Sequence, residues 1–195
     1  MSEVTEPVSG KLVIISGPSG AGKSTVVQKL LGNCDLPLQL SISATTRKPR
    51  TGEQNGVNYH FLTQEEFAQK REDNQFLECM EVFGRGDWYG TFRHEVTTGL
   101  VAGKWVILEI DVDGALSVID ERPDAITIFV HPGSIEELKR RLQSRGTETQ
   151  QSIERRLEVA RRELAVINRY KHEVINDDVD RAVNEICEIL KQTGD

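Results

Sequence analysis

One stretch constrains this chain more than any other: Lys11–Leu31, reading KLVIISGPSGAGKSTVVQKLL. Leu12–Ile15 is apolar and β-branched, the composition of a buried strand. After Ser16 come Gly17, Pro18, Ser19, Gly20, Ala21, Gly22, Lys23 and Ser24, which fit the spacing G-x-x-x-x-G-K-S. Val26, Val27, Leu30 and Leu31 then recur at helical spacing, so the glycine loop joins a strand to a helix. In that setting each residue type has a physical task. Glycines reach backbone angles closed to other residues, so successive N–H groups can converge on phosphate oxygens. The helix start adds unpaired N–H groups and the positive end of its dipole. Lys23 reaches β- and γ-phosphates, and the Ser24 hydroxyl is placed to bind Mg²⁺.

The 195 residues suffice for one core with small inserted lobes. The net charge of -7 argues against a nucleic-acid partner. Cys34, Cys79 and Cys187 are far apart and odd in number, so neither a metal site nor a disulfide framework is expected. A reducing, cytoplasmic compartment is the natural inference. Residues 1–10 are polar and acidic and are expected to form a disordered tail. No apolar run approaches membrane-spanning length, so no membrane partner is expected.

Five runs read as buried strands of a parallel sheet: Leu12–Ile15, Leu38–Ser43, Trp105–Ile110, Ala125–Val130 and His172–Ile175. Their alternation with helices predicts an α/β fold, a parallel sheet flanked by helices. Two segments break the alternation. Ser41–Thr91 holds short strands, Val57–Phe61 and Phe76–Val82, around a helix that opens with the capping box Thr63–Glu66. Ser134–Tyr170 opens with a second capping box, Ser134–Glu137, on a helix through about Gln143. A polar loop at Ser144–Gln151 follows, then a long helix striped by Ile153, Leu157, Ala160, Leu164 and Ile167. The expected organisation is a core of 11–40, 92–133 and 171–195, an inserted lobe at 41–91 and a lid at 134–170.

Ser43–Glu53, SATTRKPRTGE, sets Arg47, Lys48 and Arg50 beside several hydroxyls just after a strand. Arginine forks bind phosphate bidentately. Pro49 and Gly52 shape the loop, and Tyr59 can add a phenolic O–H. A phosphate-binding loop and a second anion site together suit a kinase whose acceptor is itself phosphorylated.

With GPSGAGKST, SATTRKPRTGE, NGVNYHF, FLE at 76–78, WYGT at 88–91, EID at 109–111, RGTET at 145–149 and INDD at 175–178, the chain resembles the guanylate kinases from about Lys11 to Lys191. The resemblance implies a P-loop nucleoside monophosphate kinase fold, with a GMP-binding lobe and a helical lid. It implies transfer of the γ-phosphoryl group of ATP to GMP, with Mg²⁺ accompanying ATP. On matching positions, Gly17, Pro18, Ser19, Gly20, Ala21, Gly22, Lys23, Ser24, Thr25 and Asn176 would bind ATP. Arg47, Arg50, Tyr59 and Tyr89 would hold the GMP phosphate, with Glu53 supporting the arginine loop. Ser43, Glu78, Thr91 and Asp111 would contact guanine. Arg141, Arg145 and Arg156 would close over the transferring group and, with Lys23 and Arg47, form the catalytic set. Two departures stand out. Glu109 replaces the family's usual Asp, with a side chain long enough to reach the metal's water shell or Lys23. The stretch Gly84–Gly90 is about two residues longer than the family's GNYYG, with Trp88 in place of Tyr.

The implied chemistry needs no dedicated base. The nucleophile is a phosphate oxygen whose second pKa is about 6, already largely ionised at pH 7. Positioning and charge neutralisation carry such a reaction. Two rivals are a sugar-phosphate kinase of the same fold and a non-catalytic guanylate-kinase-like interaction module. A sugar phosphate offers no base edge for Ser43, Glu78 and Thr91, and such modules have degraded phosphate loops, whereas Lys23 and Ser24 are intact here. The sequence leaves the choice between monomer and homo-oligomer open.

Overall fold

The structure is a computed structural model, and it describes residues 10–81, 86–144 and 149–193. The expected tail therefore lies outside the described residues except for Gly10, whose N–H donates to Leu100 O at 3.1 Å. The chain divides into two compact units: Met1–Leu12 with Pro37–Leu108, and Val13–Leu36 with Glu109–Asp195.

The second unit is built on three parallel strands: β1 (Leu12–Ser16), β8 (Ile126–His131) and β9 (His172–Ile175). Ile15 pairs with Ile128, and Val130 with Val174. β1 and β8 are buried along their whole length, because helices cover such strands on both faces. Those helices are α1 (Lys23–Asn33), α4 (Val112–Glu121), α5 (Ile135–Ser144), α6 (Gln150–Leu164) and α7 (Val179–Gln192). The expected helical stripe is real: Ile153, Leu157 and Ala160 pack on Leu138 and Leu142 of α5. Beyond Leu164 the chain tightens into a 3₁₀ turn, Ile167–Arg169, which takes Ile167 off the helix. Asp178 caps α7 by accepting the Arg181 N–H. The Ser134 box is only half formed. Ser134 Oγ accepts the Glu137 N–H, but the Glu137 carboxylate turns to Arg140 and Arg141 instead. These charge-assisted bonds pull the Glu137 pKa down to about 2.

One expectation fails in this unit, and the inference of a reducing compartment drawn from the cysteines falls with it. Cys34 and Cys187 form a disulfide, with Cα atoms 5.8 Å apart and 153 residues between them in sequence. Cys34 caps α1, Cys187 lies on the buried face of α7, and Lys29 pairs with Asp180 between the same helices. The helix pair creates the proximity, and no local spacing announces it. Cys79 stays free.

In the first unit, β2 (Leu38–Leu40) pairs in parallel with β7 (Trp105–Glu109). The run expected at Leu38–Ser43 ends early, and the chain resumes as β3 (Ala44–Thr45) in a separate sheet. That mixed sheet runs β4 (His60–Phe61), β3, β6 (Trp88–Phe92), β5 (Phe76–Glu81). β3 is parallel to β4 and antiparallel to β6, and β5 is antiparallel to β6. The expected strand at Val57–Phe61 shortens to its last two residues, because Gly56 at φ 76° and the Gln54–Asn58 turn consume the rest. Phe67 of α2 (Gln64–Glu72) stacks on Phe76 at 4.4 Å, and Phe76 on Phe92 at 5.0 Å. α2 carries the complete Thr63–Glu66 capping box. α3 (Arg93–Val101) continues from β6.

Candidate active site

The loop after β1 is shaped by glycine where nothing else fits. Gly17 sits at φ 139°, and a Cβ there would lie 2.0 Å from Val130 O. Gly22 sits at φ 89°, and its Cβ would meet the Asn176 amide at 2.6 Å. Lys23, the first residue of α1, donates to Gly17 O at 2.6 Å and Pro18 O at 3.2 Å. Burial of its ammonium lowers the pKa, while Glu109, Glu163 and Asp111 push it back up and Arg156 lowers it. Three carboxylates thus surround the cation.

Ser24 Oγ donates to Glu109 Oε1 at 2.5 Å. The longer side chain at 109 therefore reaches the loop's hydroxyl as well as the field of Lys23. A hydroxyl and a carboxylate together are hard oxygen donors, and they suit a Mg²⁺ that takes its remaining ligands from phosphates and water. Among the described residues no cluster of three or more His, Cys, Asp or Glu could hold a metal by itself.

Two of the arginines expected in a lid lie against the loop. Arg141 on α5 donates to Asn176 O at 2.7 Å and Ala21 O at 3.4 Å, and Arg156 on α6 donates to Ser19 Oγ at 2.7 Å. Arg145 lies outside the described residues. Asn176 is buried, and its amide N–H donates to Ala21 O at 2.7 Å, so its side chain clasps the loop. Asp111 accepts the Gly114 N–H at 2.8 Å as the cap of α4. Burial raises its pKa. Its described role is capping and charge facing Lys23. Thr25 is exposed on the first turn of α1.

The first unit holds the residues expected on the acceptor side other than Asp111. Glu53 grips the Arg47 guanidinium with both oxygens, at 2.9 and 3.0 Å, and accepts the Arg50 N–H at 2.7 Å. Arg47 Nε donates to Tyr89 Oη at 3.2 Å, and Nη1 also donates to Lys48 O at 2.7 Å. The Glu53 bonds chiefly, and the Tyr89 bond with them, raise the Arg47 pKa against the opposing effect of burial, and Arg47 lowers that of Glu53 in return. Because Tyr89 accepts from Arg47, its own phenolic hydrogen remains to donate. The Tyr59 and Tyr89 rings meet edge to face at 5.9 Å, and Arg47 sits 5.4 Å from the Tyr59 centroid. Arg50 extends into solvent from the same loop.

Glu78 is 7% exposed, and its Oε1 accepts from Thr91 Oγ1 at 2.7 Å. β5 and β6 set this contact by pairing Glu78 directly with Thr91. In this structure the Thr91 hydrogen is therefore committed to the carboxylate, so Thr91 orients Glu78. Ser43 stands just before β3, where its carbonyl accepts the His60 N–H at 2.9 Å.

Sequence reasoning missed two acids. Glu163 on α6 faces Lys23, Asp111, Asp113 and Arg156, and burial pushes its pKa up to about 7. Glu95 on α3 bonds the Ile42 N–H and His60. Neither belongs to a local motif. A carboxylate on a helix facing a P-loop, or in the first turn beside a strand end, is a signal only once the fold is known.

A strand, a glycine loop with Lys and Ser, and a helix define a P-loop nucleotide-binding protein, and the chain also carries the Glu53–Arg47–Tyr89 network. The guanylate kinase family model matches residues 9–193. Guanylate kinase of Rhodopirellula baltica is 61% identical over 184 residues, covering 93% of this chain and 87% of that protein. Guanylate kinase of Clostridium perfringens strain 13 is 47% identical over 190 residues, covering 97% and 87%. The crystal structure of guanylate kinase from Anaplasma phagocytophilum superposes with a TM-score of 0.77 at 31% identity, covering 95% of this chain and 86% of that one. The chain belongs to the guanylate kinase family.

Proposed function

We propose that this chain transfers the γ-phosphoryl group of ATP to GMP, giving ADP and GDP, with Mg²⁺ accompanying ATP. The observation that carries the reading is the Glu53–Arg47–Tyr89 network, an acceptor-phosphate site additional to the P-loop. ATP phosphates enter the loop Gly17–Thr25, and Lys23 turns from the Gly17 and Pro18 carbonyls to the β- and γ-oxygens. Ser24 and Glu109 would hold Mg²⁺, which supplies charge neutralisation on the phosphate oxygens when bound. Arg141 and Arg156, already beside Ala21 and Ser19, stabilise negative charge as the phosphoryl group moves. Arg145 completes this set in our reading. Arg47 and Tyr89 fix the GMP phosphate, with Arg50 and Tyr59 beside them, and Glu78 and Ser43 read the guanine. Residues 41–91 act as the acceptor lobe and 134–170 as a lid that excludes water. The substrates are cytoplasmic metabolites, so the chain is assigned to the cytoplasm. Among the described residues no helix is long and apolar enough to cross a membrane.

An ADP-release assay with GMP, AMP, UMP, ribose 5-phosphate and no acceptor tests this. GMP should be the strongly preferred acceptor. ADP release that is indifferent to GMP, or fastest with the sugar phosphate, would refute the assignment.

A further inference from the structure

Four acceptor-side residues come from chain segments far apart in sequence: Ser43, Tyr59, Glu78 and Thr91. Something must fix these segments to one another before the acceptor arrives, because each misplacement is lost from binding. The backbone supplies part of this. β3 pairs with β4 and β6, and β5 with β6. But Ser43 precedes β3 and Tyr59 precedes β4, so both sit where the ladder is only beginning.

Glu95 lies at that place. It belongs to the first turn of α3, four residues beyond Thr91. Its Oε2 accepts the backbone N–H of Ile42 at 3.0 Å, directly before Ser43. Its Oε1 lies 2.6 Å from His60 Nε2, directly after Tyr59. A carboxylate only accepts, so His60 carries its hydrogen on Nε2. The His60 ring in turn packs edge to face on Phe92 at 5.4 Å, and the His60 N–H donates to Ser43 O at 2.9 Å. One side chain thus joins the segments that deliver Ser43, Tyr59 and Thr91. The N-terminal end of α3 favours its negative charge.

We propose that Glu95 is a positioning residue for the acceptor nucleotide, holding Ser43 and Tyr59 in register with Thr91. The inference rests on the GMP reading above. Glu95 touches no substrate, and it belongs to a different unit from the ATP loop. Its loss should therefore appear in acceptor binding and leave ATP binding alone.

The test compares wild type with Glu95→Ala, Glu95→Gln and Glu95→Asp, measuring KM for GMP and for ATP, kcat, and thermal unfolding. Glu95→Ala removes both bonds and should raise KM for GMP by about tenfold or more, the scale of losing bonds to a charged group. KM for ATP should stay within about twofold, on the same scale. Glu95→Gln can still accept from Ile42 while its amide donates to a His60 that has switched tautomer, so it should largely restore KM for GMP. Glu95→Asp is too short to span both partners, so it should fall between wild type and Ala. It also serves as the informative variant should Glu95→Ala fail to fold. The proposal is overturned if KM for GMP is unchanged in the Ala and Asp variants. It is equally overturned if both KM values rise together with loss of the fold, or if Gln is as impaired as Ala. Wild type that does not phosphorylate GMP would sink the GMP reading itself, a result visible before any variant is measured.

Discussion

Glu78→Gln is the most direct probe of base recognition. Guanine presents two adjacent donors, N1–H and the N2 amino group, and a carboxylate can accept both. The structure holds Glu78 ready for this. It is 7% exposed, and Thr91 Oγ1 fixes Oε1 at 2.7 Å, so the fork does not have to be ordered on binding. Gln cannot serve both needs. If its carbonyl oxygen keeps the Thr91 bond, its NH₂ faces the guanine donors. If it flips, Oε1 serves guanine, and the NH₂ that meets Thr91 forces the hydroxyl to turn. Either way one charge-assisted bond is lost and one donor is left facing a donor. Those losses are worth about 1.5–3 and about 1–3 kcal/mol, and because they overlap the expected total is about 2–4 kcal/mol. In kcat/KM for GMP that is a fall of roughly 30- to 1,000-fold. AMP lacks the two donors, so its low activity should hold or rise. The assay is ADP release with GMP and AMP titrated separately, alongside thermal unfolding. Removing a buried charge while retaining its shape should leave the fold intact. A variant with kcat/KM for GMP within about threefold of wild type would refute the reasoning, because it would show that the Glu78 charge does not meet the base.

Three further outcomes are expected. Lys23→Met should lower kcat by about 100-fold or more while the protein stays folded, since the ammonium matters most when charge spreads over the transferring phosphoryl group. A variant keeping a tenth of wild-type kcat would count against that role. Reducing the Cys34–Cys187 bond, or replacing Cys187 by Ser, should cost about 3–5 kcal/mol because the bond closes a long loop. Thermal unfolding with and without reductant reads this, and an unchanged midpoint would show that the bond contributes nothing. Glu163 has its folded-state pKa raised from 4.5 to about 7, chiefly by burial among Lys23, Asp111, Asp113 and Arg156. Between those values the folded protein binds more protons than the unfolded one, so the nucleotide-free protein loses stability as pH rises through that window. Glu163→Gln should remove about 1–3 kcal/mol of that loss between pH 5 and pH 8, read by urea unfolding. A pH dependence identical to wild type would place Glu163 in solvent.

The parts of the molecule legible in the sequence are those encoded by neighbours along the chain. The P-loop is one, because strand, glycines, Lys and Ser are contiguous. The Thr63–Glu66 cap and the Ile153–Leu157–Ala160 stripe are others, since each depends on helical spacing alone. What the sequence hid depends on contacts between segments. Strand β6 escaped because its residues, WYGTF, carry no alternation, and its pairing with β3 and β5 decides its state. The break between β2 and β3 escaped because a continuous β-rich run gives no sign that it changes sheets. The disulfide escaped because helix packing, not spacing, joins Cys34 to Cys187. The sequence singles out Thr91 but does not show the direction of its hydrogen bond. Only the cross-strand pairing shows that the hydroxyl serves Glu78.

Lys23 and Arg47, the two cations proposed to bind phosphate, share a state that follows from electrostatics. In the protein as it stands, Lys23 rests on two loop carbonyls within the field of Glu109, Glu163 and Asp111, and Arg47 is clamped by Glu53. A cation held without counter-charge in a partly buried loop would be costly, so carboxylates must accompany it. In the proposed reaction the clustered charge of a triphosphate would draw Lys23 away from those carbonyls. Arg47 answers the same problem differently. Its bonds to Glu53, Tyr89 and Lys48 engage all but one of its N–H groups, so a phosphate gains the remaining Nη2 hydrogen and the Tyr89 hydroxyl without breaking the clamp. In the proposed reaction Glu53 would therefore act as a rigid support whose charge tempers the site, and Lys23 as a mobile charge released by the substrate. The fixed cation suits an acceptor phosphate that must be held still. The mobile one suits a γ-phosphoryl group whose charge moves during the reaction.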